Sequence, residues 1–514
     1  MQRKNYTIIE YKDDIDKLGL EQTWHKILKK SLKNEFDSDL FIVDNFGELY
    51  EVGLEYVNKI NKKEMGKYYT PRDVSRIMSK WLLKLEGENI CDVGCGTGNL
   101  ILNYLEIIGK DEAQKLIEDG KIYLFDKDNI ALEICKYSIA IIYGEDMLKS
   151  IHAKKCDFLS NKIKLPKNCK VISNPPYYKI KEIQKDWEST KVLNNSKELY
   201  SCFMEKIIKN SVASVIITPY SFIGCGKFYS LRQELNNYNG FIVSFDNVPG
   251  NIFSGRKYGI FNSNKGNSVR AAITVVENKK NKKGFRLSPL IRFKTNEREN
   301  LLDCDILEKM INPRYQYITP KDRSYYKCHE DLLDVFDTWK AVSNKKLGDL
   351  ITSNNNKKSI CIPTTCRYFT VGAQKMLNRN GKRIIYIEDD EKYDYVYCLI
   401  NSSFAYWYWR LYDGGINCPL TILSSIPVFY DKLSEKDRRD IHRIAMRMYK
   451  DESKYLVYKM NAGKLQENIK FPIKYRKEIN KIFLRVFESN YEETIFNKVH
   501  SSSIFNDCEV EENE

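Results

Sequence analysis

Asn174-Pro175-Pro176-Tyr177 closes the apolar run Val171-Ile172-Ser173 and sets an amide, two rigid rings and a phenol side by side. Proline fixes φ, lacks an N–H and pushes the residue before it out of the α region. The strand must therefore stop there, in a stiff loop. Such a corner suits a flat polar ring with an exocyclic amino group. The Asn174 amide oxygen and the Pro175 carbonyl can accept its two N–H bonds while Tyr177 stacks on the ring face. The amino lone pair is delocalised into the ring, and two acceptors restore density on nitrogen, an electrostatic effect aimed at a transition state. An ordinary loop off a sheet edge explains the tetrapeptide in isolation; its company decides between the readings.

Asp92-Val93-Gly94-Cys95-Gly96-Thr97-Gly98-Asn99 follows an apolar run and precedes the helical Leu100-Ile101-Leu102. Its glycines allow tight turns and close approach of a ligand to the backbone. The loop lacks the Gly-Lys-Ser/Thr ending of a P-loop and the GxGxxG spacing of a dinucleotide site. An acid ahead of the first glycine favours a cationic ligand, and S-adenosylmethionine, with its ammonium and sulfonium, fits. Phe125-Asp126-Lys127-Asp128 ends the next β-like run. A carboxylate there can accept both ribose hydroxyls, as in dinucleotide folds; Asp126 is the first choice and Asp128 the alternative. Cys156-Asp157-Phe158-Leu159 offers an acid for an adenine amino group and a ring to pack on the base. Upstream, Gly66-Lys67-Tyr68-Tyr69-Thr70-Pro71 leads into an amphipathic helix over Val74 to Leu83. Thr70 reads as its cap and Pro71 as its first residue.

The elements that carry these residues alternate β-like and helical from Gly66 to about residue 295: Ile90–Val93, Ile122–Phe125, Val171–Ile172, Ser214–Ile217, Phe241–Val243 and Val269–Val276. That alternation predicts an α/β fold with a mainly parallel sheet, whose ligands bind beyond the carboxyl ends of the strands. Ahead of it, residues 1–60 read as a helical extension, with helical spacing from Asp16 to Leu32. Behind it, residues 296–344 read as a charged helical bridge, 345–500 as a second α+β domain and 501–514 as a disordered acidic tail. At 514 residues more than one core is required. The 14 cysteines contain no Cys-x-x-Cys pair and there are only 5 histidines, so reduced thiols in a cytoplasm and no metal site are expected. No apolar run is long enough to span a bilayer, and no signal-peptide core follows Met1. A net charge of +14 is compatible with a polyanionic partner.

The ordered set GKYYTP, DVGCGTGN, FDKD, CDFL and NPPY resembles the S-adenosylmethionine-dependent N6-adenine DNA methyltransferases of restriction–modification systems, with the motif order of the gamma group of type II systems. The resemblance covers residues 61–295 through these motifs and extends loosely to Ile400–Phe404 and Tyr406–Trp409. It implies a Rossmann-like class I methyltransferase domain over 61–295, with a seven-stranded, mainly parallel sheet, and a C-terminal α+β target recognition domain over 345–500. Thr70, Asp92, Gly94, Gly96, Asp126, Asp157, Phe158 and Asn174 would hold the cofactor. Asn174, Pro175, Pro176 and Tyr177 would be catalytic. The target adenine cannot be reached inside a duplex, so it would be flipped and stacked between Tyr177 and a second aromatic. Phe253 is the choice there, with Tyr258 and Phe261 as alternatives. Double-stranded DNA is the implied partner, with a separately encoded restriction endonuclease beside it, in a bacterial or archaeal cytosol.

Lys279 to Lys283 and Lys345-Lys346 are candidate phosphate contacts, and the aromatic cluster Tyr406–Trp409 is either core or a stacking platform. The polar stretch Trp187 to Lys197 reads as a mobile loop that orders over DNA. Rival readings are methylation of a protein glutamine amide, which also uses NPPY but needs no large C-terminal region, and methylation of the cytosine N4 amino group, for which Ser usually replaces Asn174. A non-catalytic DNA-binding subunit conflicts with the intact loop motifs. Carbon methylation of cytosine needs a Pro-Cys nucleophile, which the chain lacks.

Overall fold

The computed structural model describes residues 6–36, 41–58, 70–253, 269–278, 284–366, 368–461, 463–487 and 492–505. The chain divides into two compact units, one of residues 1–287 and 294–324, the other of residues 288–293 and 325–514.

The first unit is organised by one sheet of strands β1 (Asn89–Val93), β2 (Ile122–Asp126), β3 (His152–Lys155), β4 (Cys169–Ser173), β5 (Ala213–Pro219), β6 (Asn239–Phe245), β7 (Ala271–Glu277) and β8 (Gly284–Ile291), in the order β3-β2-β1-β4-β5-β7-β6-β8. Pairing is parallel from β3 to β5, and β7 runs antiparallel to both β5 and β6. The expected seven strands are there, and β8 extends the sheet to eight. β1, β4 and β5 are buried almost throughout, the pattern of strands covered on both faces. The order reverses between β1 and β4, which places a ligand crevice beyond their carboxyl ends.

Helices in this unit are α1 (Ile8–Leu18), α2 (Leu20–Leu32), α3 (Val43–Asn58), α4 (Arg72–Leu83), α5 (Asn99–Ile108), α6 (Lys110–Glu118), α7 (Asn129–Tyr143), α8 (Lys191–Ser196), α9 (Leu199–Asn210) and α10 (Tyr229–Leu235), followed by short helices at Arg298–Leu301 and Cys304–Lys309. α4 buries Val74, Ile77, Met78, Trp81 and Leu82, the stripe its helical spacing predicts. The spacing that suggests one helix from Asp16 to Leu32 is split by Gly19 at φ +80°, a conformation glycine adopts without a Cβ penalty. The N-terminal helices are no loose extension. Tyr11, Trp24, Ile27, Phe46 and Leu49 share a core with Ala131 and Ile134 of α7. The Trp24 indole donates to the Tyr11 hydroxyl at 3.0 Å, which donates to the Leu49 carbonyl at 3.0 Å.

The segment read as a helical bridge, 296–344, is helical only in part. Two short helices are followed by irregular chain through Asn312-Pro313 and Thr319-Pro320, where proline removes the N–H a helix needs. The stretch Trp187–Lys197 is also not an open loop. It contains α8, capped by Thr190 and burying Val192 and Leu193, and Thr190 Oγ1 donates to Glu205 at 2.6 Å.

The second unit is α+β. Its helices Leu333–Val342, Asp390–Asn401, Ser403–Tyr412, Glu435–Asp451 and Ile473–Val486 accompany small sheets, one of three strands and others of two. Tyr406, Trp407, Tyr408 and Trp409 all lie in its buried core with Trp339, Phe404 and Phe483. The core reading of that cluster holds, and these rings offer no stacking platform. Lys345 and Lys346 are exposed on a short strand; Lys279 to Lys283 lie outside the described residues. The thirteen described cysteines form no disulfide, and no helix among the described residues is long and apolar enough to cross a membrane.

Candidate active site

The carboxyl ends of β3, β2, β1 and β4 carry, in that spatial order, Asp157, Asp126, Asp92 and Asn174. Sheet register brings this about. Asp92 lies beside Leu124 on β2 and Ile172 on β4, so each motif a few residues past its strand reaches the same edge. Between β1 and α5 the glycine loop folds back over that edge. At Gly98, with φ +96°, a Cβ would stand 2.6 Å from Cys135 Sγ, so only glycine lets the loop close on α7. At Gly96, with φ +52°, a Cβ would meet nothing within 4 Å; the chain leaves room above it.

Asp92 is fully buried. Its Oδ2 accepts the Ile101 N–H at 3.2 Å, while Oδ1 has no hydrogen-bond donor among the described residues. Burial, reinforced by the negative charge of Asp126, pushes its carboxyl up to about 8 against the opposing pull of the Ile101 N–H. An unsatisfied buried oxygen is costly, and a cationic group beside it removes both the orphan and the reason for the raised pKa. A carboxyl of this kind below a roomy glycine loop fits the ammonium of S-adenosylmethionine.

Asp126 accepts the Gly96 N–H at 2.8 Å through one oxygen and the Asp128 N–H at 2.8 Å through the other. It therefore ties the glycine loop to the end of β2. Asp128, the alternative for the ribose, is engaged elsewhere. It caps α7 through the Ile130 and Ala131 N–H groups and accepts the Tyr50 hydroxyl at 2.7 Å. Asp157 accepts the Leu159 N–H at 3.1 Å, and the Lys127 ammonium lies 3.8 Å from its other oxygen. Phe158 lies next to Asp157, within the core of the unit. It is 3% exposed, packed on Phe125 and Phe203, with the Lys206 ammonium 4.9 Å from its ring centre.

Around Asn174 the geometry is specific. Its Nδ2 donates to Thr70 Oγ1 at 2.9 Å, and its Oδ1 accepts the Tyr177 hydroxyl at 2.6 Å, a hydroxyl that also lies 3.0 Å from the Ile217 carbonyl. Thr70 is thus not the helix cap that the sequence suggests. Pro71 occupies the cap position without a side-chain bond, and the Thr70 hydroxyl faces the amide instead. Asn99 secures Thr70 by donating to its carbonyl, and Ser173 Oγ fastens the end of β4 to the Val93 carbonyl at 2.6 Å. Phe253 reaches the same place from the segment between β6 and β7. Its ring centre is 6.2 Å from that of Tyr177 at 67°, edge to face, and Tyr200 meets Tyr177 likewise at 6.1 Å and 78°. The two rings meant to sandwich a base rest against one another. Tyr258 and Phe261 lie outside the described residues.

The description of the N-6 DNA methylase family matches residues 42–312. The chain belongs to that family. Its strand order, with β7 reversed among parallel neighbours, is the Rossmann-like class I methyltransferase sheet that the motifs imply. Among curated relatives, the Type I restriction enzyme MpnII methylase subunit of Mycoplasma pneumoniae is 22% identical over 52% of this chain and 51% of its own length. The Type I restriction enzyme MjaIX methylase subunit of Methanocaldococcus jannaschii is 25% identical over 32% of this chain and 28% of its own. The chain spans about half the length of the first relative and less of the second. Among solved structures, a DrdV–DNA complex overlaps 86% of this chain and 65% of its own at 11% identity and TM-score 0.47, a loose likeness in shape. The named relatives are Type I methylase subunits, where the motif order pointed to type II enzymes.

Proposed function

We propose that the first unit transfers a methyl group from S-adenosylmethionine to the N6 amino group of an adenine flipped out of double-stranded DNA. The observation that carries this reading is the Asn174 amide, held on both sides by Thr70 and Tyr177 at the carboxyl end of β4, one strand from the buried Asp92.

In this reading each residue has a role. Asp92 takes the ammonium of the cofactor, Asp126 or the loop it fixes takes the ribose, and Asp157 takes the adenine amino group. Gly94 and Gly96 give the ligand access to the backbone. When bound there, S-adenosylmethionine supplies an electrophilic methyl on its sulfonium. Because Nδ2 of Asn174 is committed to Thr70, its Oδ1 must face the Tyr177 side, where the target amino group arrives. A carbonyl oxygen has two lone pairs, so Oδ1 accepts an adenine N–H beside or in place of the Tyr177 hydroxyl. The Pro175 carbonyl accepts the other. Pro175 and Pro176 keep these acceptors fixed, which spares reorganisation as charge develops on nitrogen. Tyr177 and Phe253 must part from their edge-to-face contact to admit the base, and they then stack on it.

The names of the relatives support a methylase subunit of a restriction enzyme of Type I character; a separately encoded restriction endonuclease as partner and a cytosolic location belong to the proposal. The gamma-group, type II alternative rests on motif order. The second unit, with its exposed Lys345 and Lys346, would hold the duplex and read its sequence. Methylation-sensitive sequencing of DNA from cells expressing the chain, with any partner subunit it needs for activity, tests this. Adenines modified within one short sequence are expected; unmodified DNA, or modified cytosine only, contradicts it.

A further inference from the structure

We propose that Arg298 is a positioning residue that fixes the Phe253 wall of the target-base pocket to the helix that follows Thr70. The inference rests on the roles given above to Phe253 and Thr70. Its geometry does not.

Arg298 Nε and Nη2 grip the two carboxylate oxygens of Asp73 at 2.6 and 3.0 Å. The same guanidinium donates through Nη1 to the Asn251 carbonyl at 2.8 Å and through Nη2 to the Ile252 carbonyl at 2.8 Å. Asp73 lies in the first turn of α4, three residues after Thr70. Asn251 and Ile252 immediately precede Phe253, whose own N–H is turned back onto Asn251 Oδ1 at 2.8 Å. One side chain thus holds both ends of the pocket: the helix start adjoining the residue that orients Asn174, and the turn that presents the second ring.

The choice of arginine follows from the number and spread of acceptors. A guanidinium has N–H donors in a rigid planar fork that matches a carboxylate bidentately and still reaches sideways. A lysine ammonium offers three donors from one point and cannot reproduce the four bonds that Arg298 makes. The Arg298 side chain is 14% exposed and that of Asp73 35%, so the guanidinium is shielded while its carboxylate partner stays half-buried. Edge-to-face contact between Tyr177 and Phe253 has to open for a base to enter. A wall anchored at Asn251 and Ile252 limits that opening to the ring and keeps the backbone in place to receive the base.

The test uses the full chain and its Arg298→Lys and Arg298→Ala variants. Hydrogen exchange followed by mass spectrometry requires no DNA. Backbone amides of the turn ending at Phe253 should exchange about tenfold faster in Arg298→Lys, while those around Asp92 and Ile101 keep their native rate. Methyl transfer is then measured on duplexes carrying the sequence that the native chain modifies, with the target adenine either paired or mismatched. A mismatched base costs less to extrude. Arg298→Lys should therefore lose about 10- to 100-fold in kcat/KM on the paired duplex and only about threefold on the mismatched one, with S-adenosylmethionine affinity unchanged. Native exchange at the turn in both variants overturns the clamp, as does an equal loss on both duplexes. If exchange quickens as expected but the native chain, supplied with any partner subunit it needs, modifies no duplex, the clamp stands and the proposed function falls.

Discussion

Binding of S-adenosylmethionine should expel a proton from Asp92. The carboxyl is fully buried, one of its oxygens has no donor, and burial together with Asp126 raises it to about 8. A carboxyl with that pKa is more than about 95% protonated at pH 6.5 in the ligand-free protein. An ammonium placed against it restores the ionised form, so binding at pH 6.5 should release close to one proton. The amino group of the ligand, itself titrating near pH 8, is almost fully protonated at pH 6.5 and adds little. Calorimetric titration in two buffers of different ionisation heat measures the release directly, and Asp92→Asn should abolish it. Affinity of the native chain should tighten by nearly tenfold per pH unit between about pH 5.5 and 7.

Stability of the ligand-free protein carries the opposite imprint. The folded carboxyl binds its proton more tightly than the unfolded one. The contribution of Asp92 to stability is therefore greatest below pH 4, falls as pH rises from the ordinary 3.8 toward about 8 and is flat above. At about 1.4 kcal/mol per unit, the whole window is worth on the order of 5 kcal/mol, and Asp92→Asn removes its slope. Proton release of zero in the native chain, or equal release in native and Asp92→Asn proteins, would refute this reasoning.

Thr70→Val removes the acceptor that turns the Asn174 amide, so transfer should slow by about 10- to 100-fold in kcat while S-adenosylmethionine affinity stays within about threefold. A large loss of affinity with kcat retained would assign Thr70 to the cofactor instead. Arg270 and Asp246 form a buried pair at 2.7 Å, flanking the segment that bears Phe253, and Arg270→Ala strands a buried charge. Chemical denaturation should show a loss of about 3–5 kcal/mol; a loss below 1 kcal/mol would mean that the site is more open to water than its geometry implies. Gly98→Ala should destabilise by more than about 1 kcal/mol, because its φ of +96° and the Cys135 sulfur both oppose a Cβ; wild-type stability would contradict that placement.

The residues flanking strand ends were legible because strand order and a short loop determine where they go. Asp92, Asp126, Asp157 and Asn174 share an edge through register alone. What could not be read was partnership across the chain. Thr70 had a sufficient local account as a helix cap, and its actual partner lies 104 residues away. Asp128 could not be separated from Asp126 until Tyr50, 78 residues upstream, was seen to engage it. Nothing local to Phe158 shows that Phe125, Phe203 and Lys206 pack around it. The N-terminal helices read as a separate extension because their amphipathic spacing does not say that α7 completes their core. Proline carries a local signal against helix at 313 and 320, where the bridge segment is irregular.

The account depends most on the Asn174 amide serving the amino group of adenine. Purified native chain and Asn174→Ala, together with any partner subunit needed for activity, are incubated with S-adenosylmethionine and duplex DNA from a host lacking methylation. The DNA is then digested to nucleosides and analysed by mass spectrometry. The native protein is predicted to yield N6-methyladenine, and Asn174→Ala none, with cofactor affinity essentially kept. N6-methyladenine formed equally by both proteins, or methyl groups found on protein and never on DNA, would contradict it.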